Sequence, residues 1–169
     1  MTATEGHIPM MRLTVIITNL AMAALTACAS SDLSTKDKNK DYFNASIGPV
    51  NHTSQYLYGF QVNGAFGANA GAYGGDIAGT CCVRLPRLYR PGLTVDIDYD
   101  LTLDDGSKHN WKTRKAVPVD PYTEPGDVYV HFFPNDQIRV VVSRAGPGSS
   151  QHPIPRPVDP GERRGGVRQ

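Results

Sequence analysis

Between residues 93 and 103 the chain alternates strictly. Leu93, Val95, Ile97, Tyr99, Leu101 and Leu103 are apolar, and Thr94, Asp96, Asp98, Asp100 and Thr102 between them are polar. A period of two marks a strand with one buried face. Asp104-Asp105-Gly106 then supplies a turn with glycine for the left-handed position. If Leu103 faces Ser107, Asp98 lies opposite Lys112 and Asp96 opposite Arg114, while Tyr99 meets Trp111 and Leu101 meets His109 on the inner face. A second hairpin is expected where Val128, Val130 and Phe132 alternate, then Ile138, Val140 and Val142, around the turn Pro134-Asn135-Asp136. That register sets His131 opposite Arg139 on the outer face, as a surface histidine. Further strands are expected at 56–62 and 77–85, and no segment shows a capped helical stripe. Short strands separated by Gly and Pro turns predict an all-β domain, a small antiparallel β-sandwich or partly open barrel.

A different pattern opens the chain. Arg12 precedes an apolar run from Leu13 to Leu25, shorter than the roughly 20 residues a bilayer-spanning helix needs. It suits the core of a signal peptide. Leu25-Thr26-Ala27-Cys28 follows and resembles the lipobox of bacterial lipoproteins, in which the cysteine thiol is lipidated before cleavage. The alternatives are an ordinary Ala-x-Ala signal or a buried apolar helix. On the lipobox reading, residues 1–27 are the signal peptide, with Met10 or Met11 as alternative starts to Met1. Residues 28–45 are the lipidated Cys28 and a flexible polar tether, 46–145 the β domain, and 146–169 a Pro-rich disordered tail. Ala29, where inner-membrane retention uses Asp, favours the outer membrane, with the domain facing the periplasm.

Charge removes one class of function. Lys and Arg number 17 against 16 Asp and Glu, which excludes the basic excess of a phosphate-tracking nucleic-acid binder. The 17 Gly and 13 Pro agree with a loop-rich domain and unstructured ends.

Candidate chemistry is sparse. Asp96, Asp98 and Asp100 imitate the start of a calcium loop, but Leu101 and Ser107 stand where the turn glycine and bidentate glutamate belong. Alternation also spreads the carboxylates about 7 Å apart, so pairing with Lys112 and Arg114 accounts for them and no metal is expected. With Cys28 lipidated, Cys81 and Cys82 remain, and an oxidising envelope favours pairing. Adjacent residues on a regular strand point to opposite faces, so a disulfide there needs a bulge or distorted peptide. It would serve as a redox pair or as a rigid kink; two reduced thiols are the third reading. The Gly-rich stretch 64–75 lacks GxGxxG spacing and is expected to be a surface loop carrying Phe66 and Tyr73. His52, His109, His131 and His152 are scattered, and no nucleophile motif accompanies them. Neither an enzyme nor a cofactor is expected. Tyr56, Tyr58, Phe66 and Tyr73 are the candidate partner contacts, with Tyr56, Tyr58 and Phe60 sharing one strand face.

Several segments together resemble a known family. They are Asn51-His52-Thr53, Tyr58 to Gly64, Cys81-Cys82-Val83-Arg84-Leu85-Pro86, Arg90 to Val95, Pro121-Tyr122 and Glu124 to Phe132. The family is one of small proteobacterial lipoproteins with a single domain of unknown function. Its members are often encoded beside lipase effectors of the type VI secretion system, and some are regarded as immunity proteins against them. The resemblance implies a membrane-anchored protein whose partner is a phospholipase effector. The alternatives are a structural envelope lipoprotein without a toxin partner, and a redox- or metal-responsive protein using Cys81 and Cys82.

Overall fold

A computed structural model describes residues 40–75, 77–102 and 109–161. The expected signal peptide, Cys28, most of the expected tether and the expected 104–106 turn lie outside the described residues. Eight strands form: β1 (Tyr42–Asn51), β2 (Tyr56–Val62), β3 (Ala65–Gly67), β4 (Thr80–Pro86), β5 (Thr94–Thr102), β6 (Lys112–Pro118), β7 (Asp127–Phe133) and β8 (Gln137–Ser143). They make two four-stranded sheets, ordered β4-β1-β7-β8 and β3-β2-β5-β6. The sheets are not closed into a barrel, so the fold is sandwich-like. All pairings are antiparallel except β1 with β7, which run parallel.

Between the sheets lies one apolar core. Ile47 and Val50 of β1 and Val128, Val130 and Phe132 of β7 meet Phe60, Val62, Ile97 and Tyr99 from the second sheet. Phe60 and Tyr99 hold Phe132 between them, each with ring centroids 5.5 Å away. At the edge, Asp136 in the β7–β8 turn ties the two sheets. It accepts hydrogen bonds from Tyr99 Oη at 3.1 Å and Lys112 Nζ at 2.8 Å. The Lys112 hydrogen bond, chiefly, holds the Asp136 carboxyl below its ordinary pKa.

β1 has no period-two signature because both of its faces are covered along Ile47 to Asn51, where every residue is buried. Its start at Tyr42 takes residues 42–45 out of the expected tether, and Ala45 is buried. Gly48 lies within it for a steric reason. A Cβ there would sit 2.7 Å from the Ile77 carbonyl oxygen and 2.8 Å from Ala78 Cα. Both obstacles are backbone, so Gly48→Ala is expected to cost about 1–3 kcal/mol as overpacking. Urea denaturation measures it, and a change under ~0.5 kcal/mol would show that residues 77–79 yield freely.

The β7–β8 hairpin has the expected register, including His131 opposite Arg139. The β5–β6 pair does not. Tyr99 faces Lys112, Asp98 faces Thr113 and Ile97 faces Arg114, with a bulge between Val95 and Ile97. A slip of one residue turns every side chain of a strand over. In β6 only Val117 is buried, so the strand carries too little apolar pattern to specify its own register. The slip sends Trp111 outward instead of onto Tyr99.

Two further expectations are corrected. A bulge between Leu57 and Gly59 breaks the alternation of β2, so Phe60 is core while Tyr58 is exposed. Residues 145–161, expected in the disordered tail, run as an arm against the first sheet, with Pro147, His152 and Ile154 buried.

Candidate functional site

Three places on the domain gather polar or aromatic chemistry. The first is a row of histidines from distant segments. Asn51 is fully buried at the end of β1, and its side chain organises the connection that follows. Nδ2 donates to the carbonyls of Gln55 at 2.7 Å and Gly71 at 2.9 Å. Oδ1 accepts from the Thr53 amide at 3.0 Å and Thr53 Oγ1 at 2.8 Å. The clamp fixes His52, whose amide donates to Phe132 O at 2.8 Å and whose ring stacks on Phe133 at 4.3 Å. His52 Nε2 lies 3.0 Å from His131 Nδ1, and His131 Nε2 lies 3.0 Å from His152 Nε2. His152 Nδ1 is 2.7 Å from the carbonyl oxygen of Ala145.

His131 is therefore buried and not a surface residue, because the arm covers the outer face of the first sheet. Burial, joined by repulsion from His52, His152 and Arg139, lowers its pKa to about 3. Burial also lowers that of His52. The imidazoles bond to one another in line and do not converge on a point. Among the described residues, no group of three or more His, Cys, Asp or Glu is placed to hold a metal ion. Residues 52, 131 and 152 are too far apart in sequence for spacing to have joined them. Beside His52 opens a cleft of about 480 Å³ walled by Tyr73, Phe133, Ile154, Pro155 and Arg156.

The second place is the outer face of the second sheet. The β2 bulge throws Tyr58 out, and its ring packs on His109 at 3.9 Å. His109 Nδ1 is 3.0 Å from Asp100 Oδ2. Asp100 is fully buried, and its Oδ1 has no hydrogen-bond partner among the described residues. Trp111 lies over Gly59, where a Cβ would stand 3.4 Å from the indole. Phe66 on β3 is paired with Gln61, on the same face as Gly59. Tyr58, Phe66 and Trp111 are 50%, 64% and 45% exposed, a display of large apolar groups that water disfavours unless something covers them. Of the candidate contacts, Tyr58 and Phe66 stand on this face; Tyr56 is half-buried, and Tyr73 lies in the cleft by His52. Trp111 was missed because the register slip reversed it.

The remaining aspartates of that face have partners within the sheet. Asp96 accepts from the Ala116 amide at 3.0 Å and Lys115 Nζ at 2.9 Å. These hydrogen bonds, the backbone one first, lower its pKa. Asp98 accepts from Thr113 Oγ1.

The third place is Cys81 and Cys82, joined by a disulfide across a cis peptide. They open edge strand β4, where the register against β1 shifts between Ala45 and Ile47. Two residues there oppose the single Ser46, a bulge of the ordinary two-against-one kind.

Residues 50–140 match a family described as "Protein of unknown function (DUF3304)". Comparison with curated proteins and with solved structures finds no match.

Proposed function

From the premise that this chain belongs to the DUF3304 family, whose description carries no activity, we propose that it is a membrane-anchored binding protein that neutralises a phospholipase effector of a type VI secretion system. The observation that carries the reading is the outer face of the second sheet. It is a strand-borne surface on which Tyr58, Phe66 and Trp111 stand exposed, with the Trp111 indole lying over Gly59. Aromatic anchors on a rigid scaffold are the usual source of binding energy between proteins, and three of them on one face exceed the scattered exposure of a typical surface. Ile77 and Leu88, also exposed, sit singly on the connections flanking β4.

Cys28 supplies the location. A lipid anchor at the outer membrane would hold the domain where a phospholipase meets its substrate and raise its effective concentration there. Blocking such an enzyme requires a complementary surface and no catalytic group. We assign Cys81–Cys82 a structural part, holding the bulge at the sheet edge.

The test is to express a type VI secretion phospholipase effector of the same organism in the periplasm, with and without the protein. Rescue of growth is expected. Unchanged killing would overturn the immunity reading and leave a structural envelope lipoprotein. In the purified complex, Trp111→Ala is expected to weaken binding by about 2 kcal/mol, roughly thirtyfold, with folding intact because the side chain is on the surface. Calorimetry reads this; affinity unchanged by both Trp111→Ala and Tyr58→Ala would place the docking surface elsewhere.

A further inference from the structure

The histidine row has a direction that can be derived by counting hydrogens. The Ala145 carbonyl is an acceptor only, so His152 Nδ1 must carry its hydrogen and donate. In the neutral ring His152 Nε2 then accepts, and His131 Nε2 donates to it. His131 Nδ1 accepts in turn, and His52 Nε2 donates. Three neutral imidazoles hold three hydrogens, and the three contacts use all of them. One nitrogen remains vacant, His52 Nδ1, at the end of the row beside the cleft. A first added proton goes there and breaks nothing. A second has no vacant nitrogen and must put two hydrogens into one 3.0 Å gap between nitrogens.

The row also joins two separate parts of the chain. His131 belongs to β7 and His152 to the arm, where His152 packs its ring edge-on against Tyr129 at 5.0 Å. Tyr129 and Val141 are opposed on that same outer sheet face, and both are buried. Among the described residues, no acidic group acts on His131. His52 comes from the β1–β2 connection and Arg139 from β8, where Asp120 already pairs with it. Arg156 comes from the arm and Tyr73 from the loop across the cleft. The charges acting on His131 are all positive.

We propose that this row is an acid-released latch: the arm, residues 145–158, is held on the first sheet while at most one proton is shared by the three imidazoles, and a second proton frees it and uncovers Tyr129, His131 and Val141. The sign follows from linkage. With the arm open His52 and His131 regain ordinary affinity for protons, near pH 6.5, whereas the closed row admits one. Closure is therefore fully favoured above about pH 6.5 and weakens as the pH falls towards about 3, by up to about tenfold per unit for each extra proton bound in the open form. The latch is independent of the docking face on the second sheet.

Native-state hydrogen exchange on the full chain between pH 7.5 and 4.5, corrected for intrinsic rates, tests this. The amides of Ser149 and His152, bonded within the arm to Gly146 O and Ser149 O, are expected to lose about tenfold in protection per unit below pH 6. Those of Val50 and Phe132 in the β1–β7 pair should keep theirs. Arm protection that does not change with pH, or that falls together with the core, would overturn the latch. Side-chain nitrogen NMR at pH 7.5 is expected to find the hydrogen on Nδ1 of His152 and on Nε2 of His131 and His52; the opposite tautomer at His131 or His152 would also overturn it. His152→Ala should leave the arm unprotected at every pH with the core intact. Should that variant not fold, the two wild-type measurements decide.

Discussion

Asn51→Asp is expected to destabilise the domain by about 4 kcal/mol or more, beyond the roughly 3 kcal/mol expected for Asn51→Ala. The carboxamide is fully buried and makes four hydrogen bonds, two as donor and two as acceptor. Alanine removes all four and leaves the carbonyls of Gln55 and Gly71 without that donor. Aspartate has almost the same shape, but it turns the donor nitrogen into an oxygen aimed at those two carbonyls. It must then bury a charge among acceptors or take up a proton that serves only one of them. Urea unfolding with an unchanged m-value is the measurement. An aspartate variant as stable as wild type would mean that the 52–55 and 71–74 connections rearrange without Asn51. Because the clamp positions His52, the same variant should also lose the His52–His131 contact.

Phe132→Ala is expected to cost about 3–5 kcal/mol. Phe132 has no exposed surface, stands at the centre of the core, and meets Phe60 edge-on and Tyr99 at a tilt. The three rings belong to β7, β2 and β5 and so link the two sheets. Truncation loses both the transfer energy of the ring and the aromatic contacts, and the flanking rings are too constrained to close the void. Phe132→Leu should cost less than half as much if shape is the cause. Equal losses for the two variants would instead point to the ring contacts with Phe60 and Tyr99, which both remove.

The strands that could be recognised beforehand are those whose own pattern meets one buried face. β5 alternates without a break, and β7 and β8 alternate around a turn, so their faces and the 131–139 register follow from the residues alone. β2 was visible as a strand, but its bulge was not, since nothing in Tyr56-Leu57-Tyr58-Gly59 marks where one residue is extra. β1 was hidden because no alternation of apolar and polar residues runs through Tyr42–Asn51. In the fold, Gly48 is required by the backbone crossing over it, and parallel pairing with β7 is a long-range contact that local pattern cannot announce.

The candidate sites divide in the same way. Tyr58 and Phe66 were identifiable as aromatics near loops, whereas Trp111 joined them only through the β5–β6 slip. The three histidines were visible as residues and invisible as a set. Their row depends on the Asn51 clamp, the β7 register and a Pro-rich arm whose composition argued for disorder, but whose buried Pro147, His152 and Ile154 complete the outer face of a sheet.

By itself, then, the amino-acid pattern determined the β class, the β7–β8 hairpin with its register and the antiparallel neighbours β5 and β6 without theirs, because each is a property of neighbouring residues. The tertiary structure decided which strands share a sheet, where registers slip, which aromatics face water and which imidazoles touch. Those depend on side chains from remote segments competing for the same buried space, and a competition among distant residues leaves no local trace.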